Sequence, residues 1–110
     1  MKFELEIPDK VLELEPELRD WVKAVEMMLN RMLFSHHKYG AMSNKFPDSA
    51  DACVGAYKRL SMYGKSGNTE NCLDAANYCI IEHLFPSHPK AHFRSQESHE
   101  SPGTPWKEES

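Results

Sequence analysis

The amino-acid sequence predicts an all-α protein, an antiparallel helical bundle with a short extended N-terminal arm and an irregular C-terminal tail. Apolar side chains recur every three or four positions between residues 17 and 85, which is the period of helices with one buried face. The chain has 110 residues, of which 40% are hydrophobic and 27% charged, a composition typical of one globular domain. We therefore expect an arm over residues 1–16, a helical bundle over residues 17–85 and a Pro/His-rich, irregular or disordered tail over residues 86–110.

The N-terminal arm has the pattern of a short β-strand. Phe3, Leu5 and Ile7 alternate with charged residues, so that one side of an extended chain would be apolar. A lone strand needs a partner, and we expect this arm to find one, for example in another subunit.

The first predicted helix runs from Pro16 to about Gly40 and has a wide apolar surface. Proline is tolerated in the opening turn of a helix, and glycine suits its end. The main apolar stripe consists of Leu18, Trp21, Val22, Val25, Met28, Leu29, Met32 and Leu33. Met27 and Phe34 lie outside this stripe, so we expect burial on two sides, by further helices or by a second subunit.

Two further helices are predicted over residues 48–63 and 69–84. The Gly- and Ser-containing segment at residues 64–68 separates them, and prolines follow the second of them. Small side chains in the earlier helix, including Ala52 and Gly55, would allow a neighbouring helix to approach closely.

Charge and cysteine content exclude several classes of protein. Seventeen acidic residues against 13 basic ones give a formal charge of −4, which argues against a binder of nucleic-acid polymers. No apolar run is long enough to span a membrane, and the first residues lack the features of a signal peptide. Three cysteines without a Cys-x-x-Cys pair argue against a disulfide framework or a zinc cage. We expect the protein to stay in the compartment where it is made.

Three polar residues of the third predicted helix share one face. Glu70, Asp74 and Asn77 are spaced four and three positions apart, and Asn77 borders the apolar stripe. Burying such groups without hydrogen bonds costs about 1–3 kcal/mol each. A metal ion, a nucleotide or a facing helix would supply the bonds. Alternatively, Glu70 and Asp74 only complement the dipole at the helix N-terminus.

A second acidic pair lies at the start of the second helix. Asp48 and Asp51 could share a hard cation such as Mg²⁺. Alternatively they are capping residues, with Asp48 as the N-cap and Asp51 at the reciprocal position of a capping box. If the second and third helices are neighbours, this pair together with Glu70 and Asp74 could form a metal site in the bundle.

Cationic residues could hold phosphate groups near the same face. Arg59 adjoins the inward stripe of the second helix, and a guanidinium can bind phosphate oxygens through two hydrogen bonds. Lys38 and Tyr39 close the first helix, although lysine is also common at helix ends because of the helix dipole.

Several stretches of the sequence resemble a known family. They are FSHHKYG at residues 34–40, YKRL at residues 57–60 and ENCLDAAN at residues 70–77, followed by EHLFPSHPKAHF at residues 82–93 and SPG at residues 101–103. In these stretches the chain is similar to the all-α MazG-like nucleotide pyrophosphohydrolases, especially to small phage-encoded versions. In those proteins Lys-Tyr-Gly ends the first helix and Asp-x-x-Asn lies in the last core helix.

The resemblance implies a bundle that assembles as a homodimer or homotetramer. It also implies Mg²⁺ held by Glu-x-x-Glu and Glu-x-x-Asp elements, and hydrolysis of a nucleoside triphosphate to a monophosphate and pyrophosphate by metal-activated water. Asp74 matches the final aspartate of these elements. Asn71 stands where the preceding glutamate is expected, with Glu70 one position away, and Asp48-x-x-Asp51 is the one acidic pair available for the other element.

Three hypotheses follow. In the first, the protein binds a nucleotide or a nucleotide-derived immune signal and sequesters it to counter host defence, in the host cytoplasm if it is phage-encoded. The residues expected to bind that ligand are Lys38, Tyr39, Arg59, Asp74 and Asn77. In the second, it is a Mg²⁺-dependent nucleoside triphosphate pyrophosphohydrolase that uses Asp48, Asp51, Glu70 and Asp74. In the third, it is a non-catalytic structural or protein-interaction bundle, whose polar residues are satisfied by neighbouring helices.

Overall fold

The computed structural model describes residues 2–95, and this part of the chain is helical, which confirms the predicted fold class. Its helices are α1 (Asp9–Leu14), α2 (Leu18–Tyr39), α3 (Ala52–Ser66) and α4 (Glu70–Leu84), with one 3-10 turn at Met42–Asn44. Helix α4 packs against both α2 and α3. None of the helices within residues 2–95 has the length and apolar character needed to cross a membrane.

The strand predicted in the N-terminal arm is wrong. Residues 2–8 are irregular, the chain turns into α1 at Asp9, and no strand forms within residues 2–95. An amide side chain on α2 takes the place of the missing strand partner. The Phe3 N–H donates to Oδ1 of Asn30 at 2.6 Å, and Nδ2 of Asn30 donates to the Phe3 carbonyl at 3.3 Å. The alternating pattern therefore marks a segment that pairs through one residue, without a ladder of backbone hydrogen bonds.

Helix α2 has the predicted length, and it ends at Gly40. The φ angle of Gly40 is +86°, a value that favours glycine, and its N–H donates to the His36 carbonyl. No residue of α2 is fully buried, although its sequence is amphipathic. Trp21 and Phe34 are 63% and 68% exposed. Within residues 2–95, much of the predicted apolar surface of α2 is therefore uncovered.

Helix α3 begins four residues later than predicted. Asp51, not Asp48, is the N-cap, because its Oδ1 accepts a hydrogen bond from the Val54 N–H at 3.1 Å. The preceding residues close a turn instead, in which the Ser49 and Ala50 N–H groups donate to the Lys45 carbonyl. The helix also extends to Ser66, three residues beyond its predicted end. Gly67 ends it, with a φ angle of +71°.

The core lies mainly between α3 and α4. Its buried apolar residues are Phe46, Ala52, Ala56, Ala75 and Ile81. Gly55 faces the ring of Tyr78, so closely that a Cβ there would lie 2.7 Å from the ring. The small residues of α3 therefore allow the close approach that the sequence predicted.

The chain after α4 is irregular as far as the structure describes it, in agreement with the predicted tail. Glu82 accepts hydrogen bonds from the N–H and hydroxyl of Ser87, and the Phe93 ring packs edge-on against His83 at 5.9 Å. The remaining part of the predicted tail, residues 96–110, lies outside the described residues.

Candidate functional site

A cavity of about 760 Å³ is lined by residues of α2, α3, α4 and the segment that follows α2. Its volume falls within the range of small-molecule binding sites. The five residues predicted to bind a nucleotide all line this cavity; they are Lys38, Tyr39, Arg59, Asp74 and Asn77. Two cationic residues that the sequence reasoning missed, Arg31 and Lys45, line it as well.

Arg31 of α2 holds the two carboxylates of α4. Its Nε donates to Oδ1 of Asp74 at 2.9 Å, and its Nη2 donates to Oε1 of Glu70 at 2.8 Å. Partial burial alone would lower the pKa of the Arg31 guanidinium, but hydrogen bonds and charges of Asp74 and Glu70 outweigh this effect and raise the pKa above its ordinary value. Nη1 of Arg59 lies 3.9 Å from Oδ2 of Asp74. Both oxygens of Asp74 therefore face guanidinium groups, one from α2 and one from α3.

Asn77 joins α4 to α2. It is 8% exposed, and its Nδ2 donates to the Met28 carbonyl at 2.9 Å. Among the partners that the sequence allowed for this buried amide, the facing helix is the one that supplies the bond. Asn77 thus lines the cavity while it also fixes the packing of two helices.

Two lysines approach the ring of Tyr39. Nζ of Lys38 lies 5.2 Å from the ring centroid and Nζ of Lys45 lies 5.0 Å from it. Each such cation–π contact is worth about 0.5–1 kcal/mol at an exposed site, and Tyr39 is 57% exposed. Within residues 2–95 neither ammonium group has a carboxylate within 4.0 Å.

An aromatic pair forms the apolar part of the cavity. The rings of Phe46 and Tyr78 meet edge to face, with centroids 6.4 Å apart and an interplanar angle of 68°. Met32, Met42 and Ile81 extend this wall. Phe46 is buried, and the partly buried Tyr78 is the member of the pair that a planar ring of a ligand could contact.

The carboxylates predicted to bind Mg²⁺ are not brought together. Asp48 and Asp51 precede α3, whereas Glu70 and Asp74 lie in the first turns of α4. Ala52 at the start of α3 shares a core cluster with Ile81 near the end of α4, so the two acidic pairs lie at opposite ends of an antiparallel helix pair. Within residues 2–95 no three His, Cys, Asp or Glu side chains form a group that could hold a metal ion. The described residues therefore do not fit the predicted site.

The two missed cations differ in how they could have been found. Arg31 lies between Met28 and Met32 of the apolar stripe, the same kind of position that drew attention to Arg59. Lys45 lies in a connection between helices, where periodicity carries no information, and only the folded chain places it in the cavity.

Comparisons of this chain with protein-family models, with curated proteins and with solved structures give no match.

Proposed function

We propose that this protein binds a nucleotide or a nucleotide-derived signal in the cavity beside α2 and α4. The observation that carries the proposal is the charge of the cavity lining. Four lining side chains are cationic, namely Arg31, Lys38, Lys45 and Arg59, and one is a carboxylate, Asp74. The whole chain has a formal charge of −4, so this region is opposite in sign to the rest of the protein. Phosphate groups favour such a site, because each charge-assisted hydrogen bond contributes roughly 1.5–3 kcal/mol.

The aromatic wall supports the nucleotide rather than a free anion. Tyr78 is partly buried and lines the cavity near the cationic side chains, with the buried Phe46 packed against it, so one ligand with a phosphate and a planar base would contact both the ring and the cations. Binding without conversion would remove the ligand from solution. On this basis, together with the MazG-like and phage-type motifs of the sequence, we propose that the protein sequesters a signal and so counters host defence.

One experiment tests this function against its alternatives. The full chain is incubated with Mg²⁺ and a panel of nucleotides that includes cyclic and ADP-ribose-type compounds, and the mixture is separated before and after heating. We expect one compound to disappear from the unbound fraction and to return intact on denaturation. Released monophosphate or pyrophosphate would instead support the Mg²⁺-dependent hydrolase. Complete recovery of every compound without heating would contradict nucleotide binding.

Two neighbouring residues provide matched variants for this experiment. Arg59→Gln removes a cation that lines the cavity, whereas Lys58→Gln removes one at the preceding position, which is exposed and does not line it. We expect the first change to weaken binding of the retained compound about tenfold and the second to leave it unchanged. Equal effects would indicate non-specific attraction.

A structural or protein-interaction bundle is the second candidate, and one observation favours it. Each polar residue that the sequence singled out on α4 has a partner on α2: Glu70 and Asp74 pair with Arg31, and Asn77 bonds to the Met28 carbonyl. Packing alone could therefore account for these three residues. This candidate gains if no nucleotide is retained.

We also propose that the chain assembles as a homodimer or homotetramer. Large apolar side chains are exposed on two helices, including Trp21 and Phe34 of α2 and Tyr57 and Leu60 of α3. Apolar surface of this extent commonly marks an interface. Light scattering on the eluting protein should give two or four times the mass of the chain, and a monomeric mass at micromolar concentration would contradict this proposal.

A further inference from the structure

We infer that Lys38, Tyr39 and Lys45 form a phosphate subsite, and that this subsite selects ligands with two or more linked phosphates over monophosphates. This inference rests on the proposed function and deepens it, because it assigns one region of the cavity to one part of the ligand. It also gives Lys45, which no feature of the sequence singled out, a role in specificity.

The first argument is the placement of the two charges. Both ammonium nitrogens lie about 5 Å from the same ring centroid, so they are at most about 10 Å apart, the sum of the two distances. They come from different elements, one from the last turn of α2 and the other from the residue after the 3-10 turn. A chain of linked phosphates can reach both ammonium groups at any separation within this limit, and it carries more negative charge than a single phosphate.

The second argument compares the charges around the cavity. Arg31 and Arg59 both face Asp74, so their charge is partly balanced before any ligand binds. Within the described residues Lys38 and Lys45 have no carboxylate within 4.0 Å. The unbalanced positive charge is therefore concentrated beside Tyr39, and an anionic chain gains most there.

The third argument is the anchoring of Lys45. Its N–H donates to the Met42 carbonyl at 3.0 Å, and its own carbonyl accepts from Ser49 at 2.7 Å and Ala50 at 3.1 Å. The next residue, Phe46, is buried in the core. The backbone of Lys45 is thus fixed on both sides, and a fixed backbone reduces the entropy lost when its side chain binds a ligand.

Inorganic tripolyphosphate is the probe that tests this subsite directly. Calorimetry on the full chain, at low salt and with a chelator of divalent cations, compares tripolyphosphate with orthophosphate. We expect tripolyphosphate to bind at least about tenfold more tightly, and Lys45→Gln to remove most of that preference. Lys45→Arg should retain it. Lys65→Gln, an exposed position in the last turn of α3 that does not line the cavity, should have no effect.

The outcomes separate this inference from the proposed function. Equal affinity of the wild-type chain for the two anions, or equal losses in Lys45→Gln and Lys65→Gln, would overturn the subsite. Lys38→Gln provides a second variant, expected to behave like Lys45→Gln, and a circular-dichroism spectrum confirms that each variant is folded. If a nucleotide is retained equally by the wild type and Lys45→Gln, the subsite fails while nucleotide binding stands. If tripolyphosphate binds but no nucleotide is retained, the subsite stands and the proposed function fails.

Discussion

Replacing Asn77 with aspartate should lower the free energy of unfolding by roughly 3 kcal/mol at neutral pH. The two side chains have nearly the same shape, so the change removes one hydrogen-bond donor and adds one charge without creating a void. Nδ2 of Asn77 donates to the Met28 carbonyl at 2.9 Å, and the residue is 8% exposed. A carboxylate at this position would place an acceptor against an acceptor, in a site with little access to water.

The sign of the pH dependence provides a further check on this variant. Burial beside a carbonyl should raise the pKa of the new carboxyl group above its value in the unfolded chain. A group whose folded pKa is raised contributes stability below its unfolded pKa and loses it as pH rises through the folded pKa. The difference between the variant and the wild type should therefore shrink at acidic pH, where the protonated carboxyl can donate to Met28.

Urea unfolding at neutral and at acidic pH measures both effects, with Asn68→Asp as the matched control. Oδ1 of Asn68 accepts from the Glu70 N–H at 3.1 Å, a role that a carboxylate keeps. A negative charge at this helix N-terminus is also favourable, by about 0.3–1 kcal/mol. The control should be neutral or slightly stabilising, and equal losses in both variants would contradict the assigned contact.

Replacing Gly55 with alanine should lower the free energy of unfolding by about 2 kcal/mol, because the added methyl group overpacks the contact between α3 and α4. The new Cβ would lie 2.7–2.8 Å from three carbons of the Tyr78 ring. That ring cannot move freely, since it packs on the buried Phe46. The loss exceeds the gain of about 1 kcal/mol that alanine brings in helix propensity. Because Tyr78 lines the cavity, binding of any retained nucleotide should weaken too.

Gly64→Ala is the matched control on the same helix. Apart from the backbone of the same helix and the adjacent residues, nothing lies within 4 Å of a Cβ at this position, so only the helix propensity changes. We expect this variant to be more stable than the wild type by about 0.5–1 kcal/mol. Thermal or urea unfolding of the two variants under one condition should thus give shifts of opposite sign, and shifts of the same sign would show that Tyr78 yields to the methyl group.

The helices were predictable where local chemistry sets their limits. Gly40 ends α2, and the apolar period predicts α4 over its full length, with a start one residue early, because these signals lie within the segments themselves. The local sequence does not determine where α3 begins, because Asp48 and Asp51 are both suitable N-cap residues. The burial of Ala52 and the turn closed by the Lys45 carbonyl decide between them, and both depend on the tertiary fold.

The candidate site was predictable to the extent that its residues border apolar stripes, as Arg59 and Asn77 do. Pairing between helices was not, because one sequence does not tell which faces meet. Arg31 contacts the carboxylate of Asp74, 43 positions away in the sequence. Through this contact the acidic face of α4 packs against α2. The same uncertainty explains why the carboxylates predicted to bind Mg²⁺ are not brought together. That prediction required Asp51 and Asp74 to lie at the same end of the bundle.

Helix α4 makes more of its polar contacts with α2 than with α3. Toward α3 it presents the apolar packing described above and the ion pair of Asp74 with Arg59. Toward α2 it contributes Glu70, Asp74 and Asn77, beside the apolar contact that Met32 makes with the core. Ionic contacts weaken as salt rises, and apolar contacts do not. We therefore expect the docking of α2 on α4 to depend more on ionic strength than the packing of α3 on α4 does. On the proposed function, an anion that binds Arg31 would compete for the same contact, and ligand binding would then be thermodynamically linked to the docking of α2.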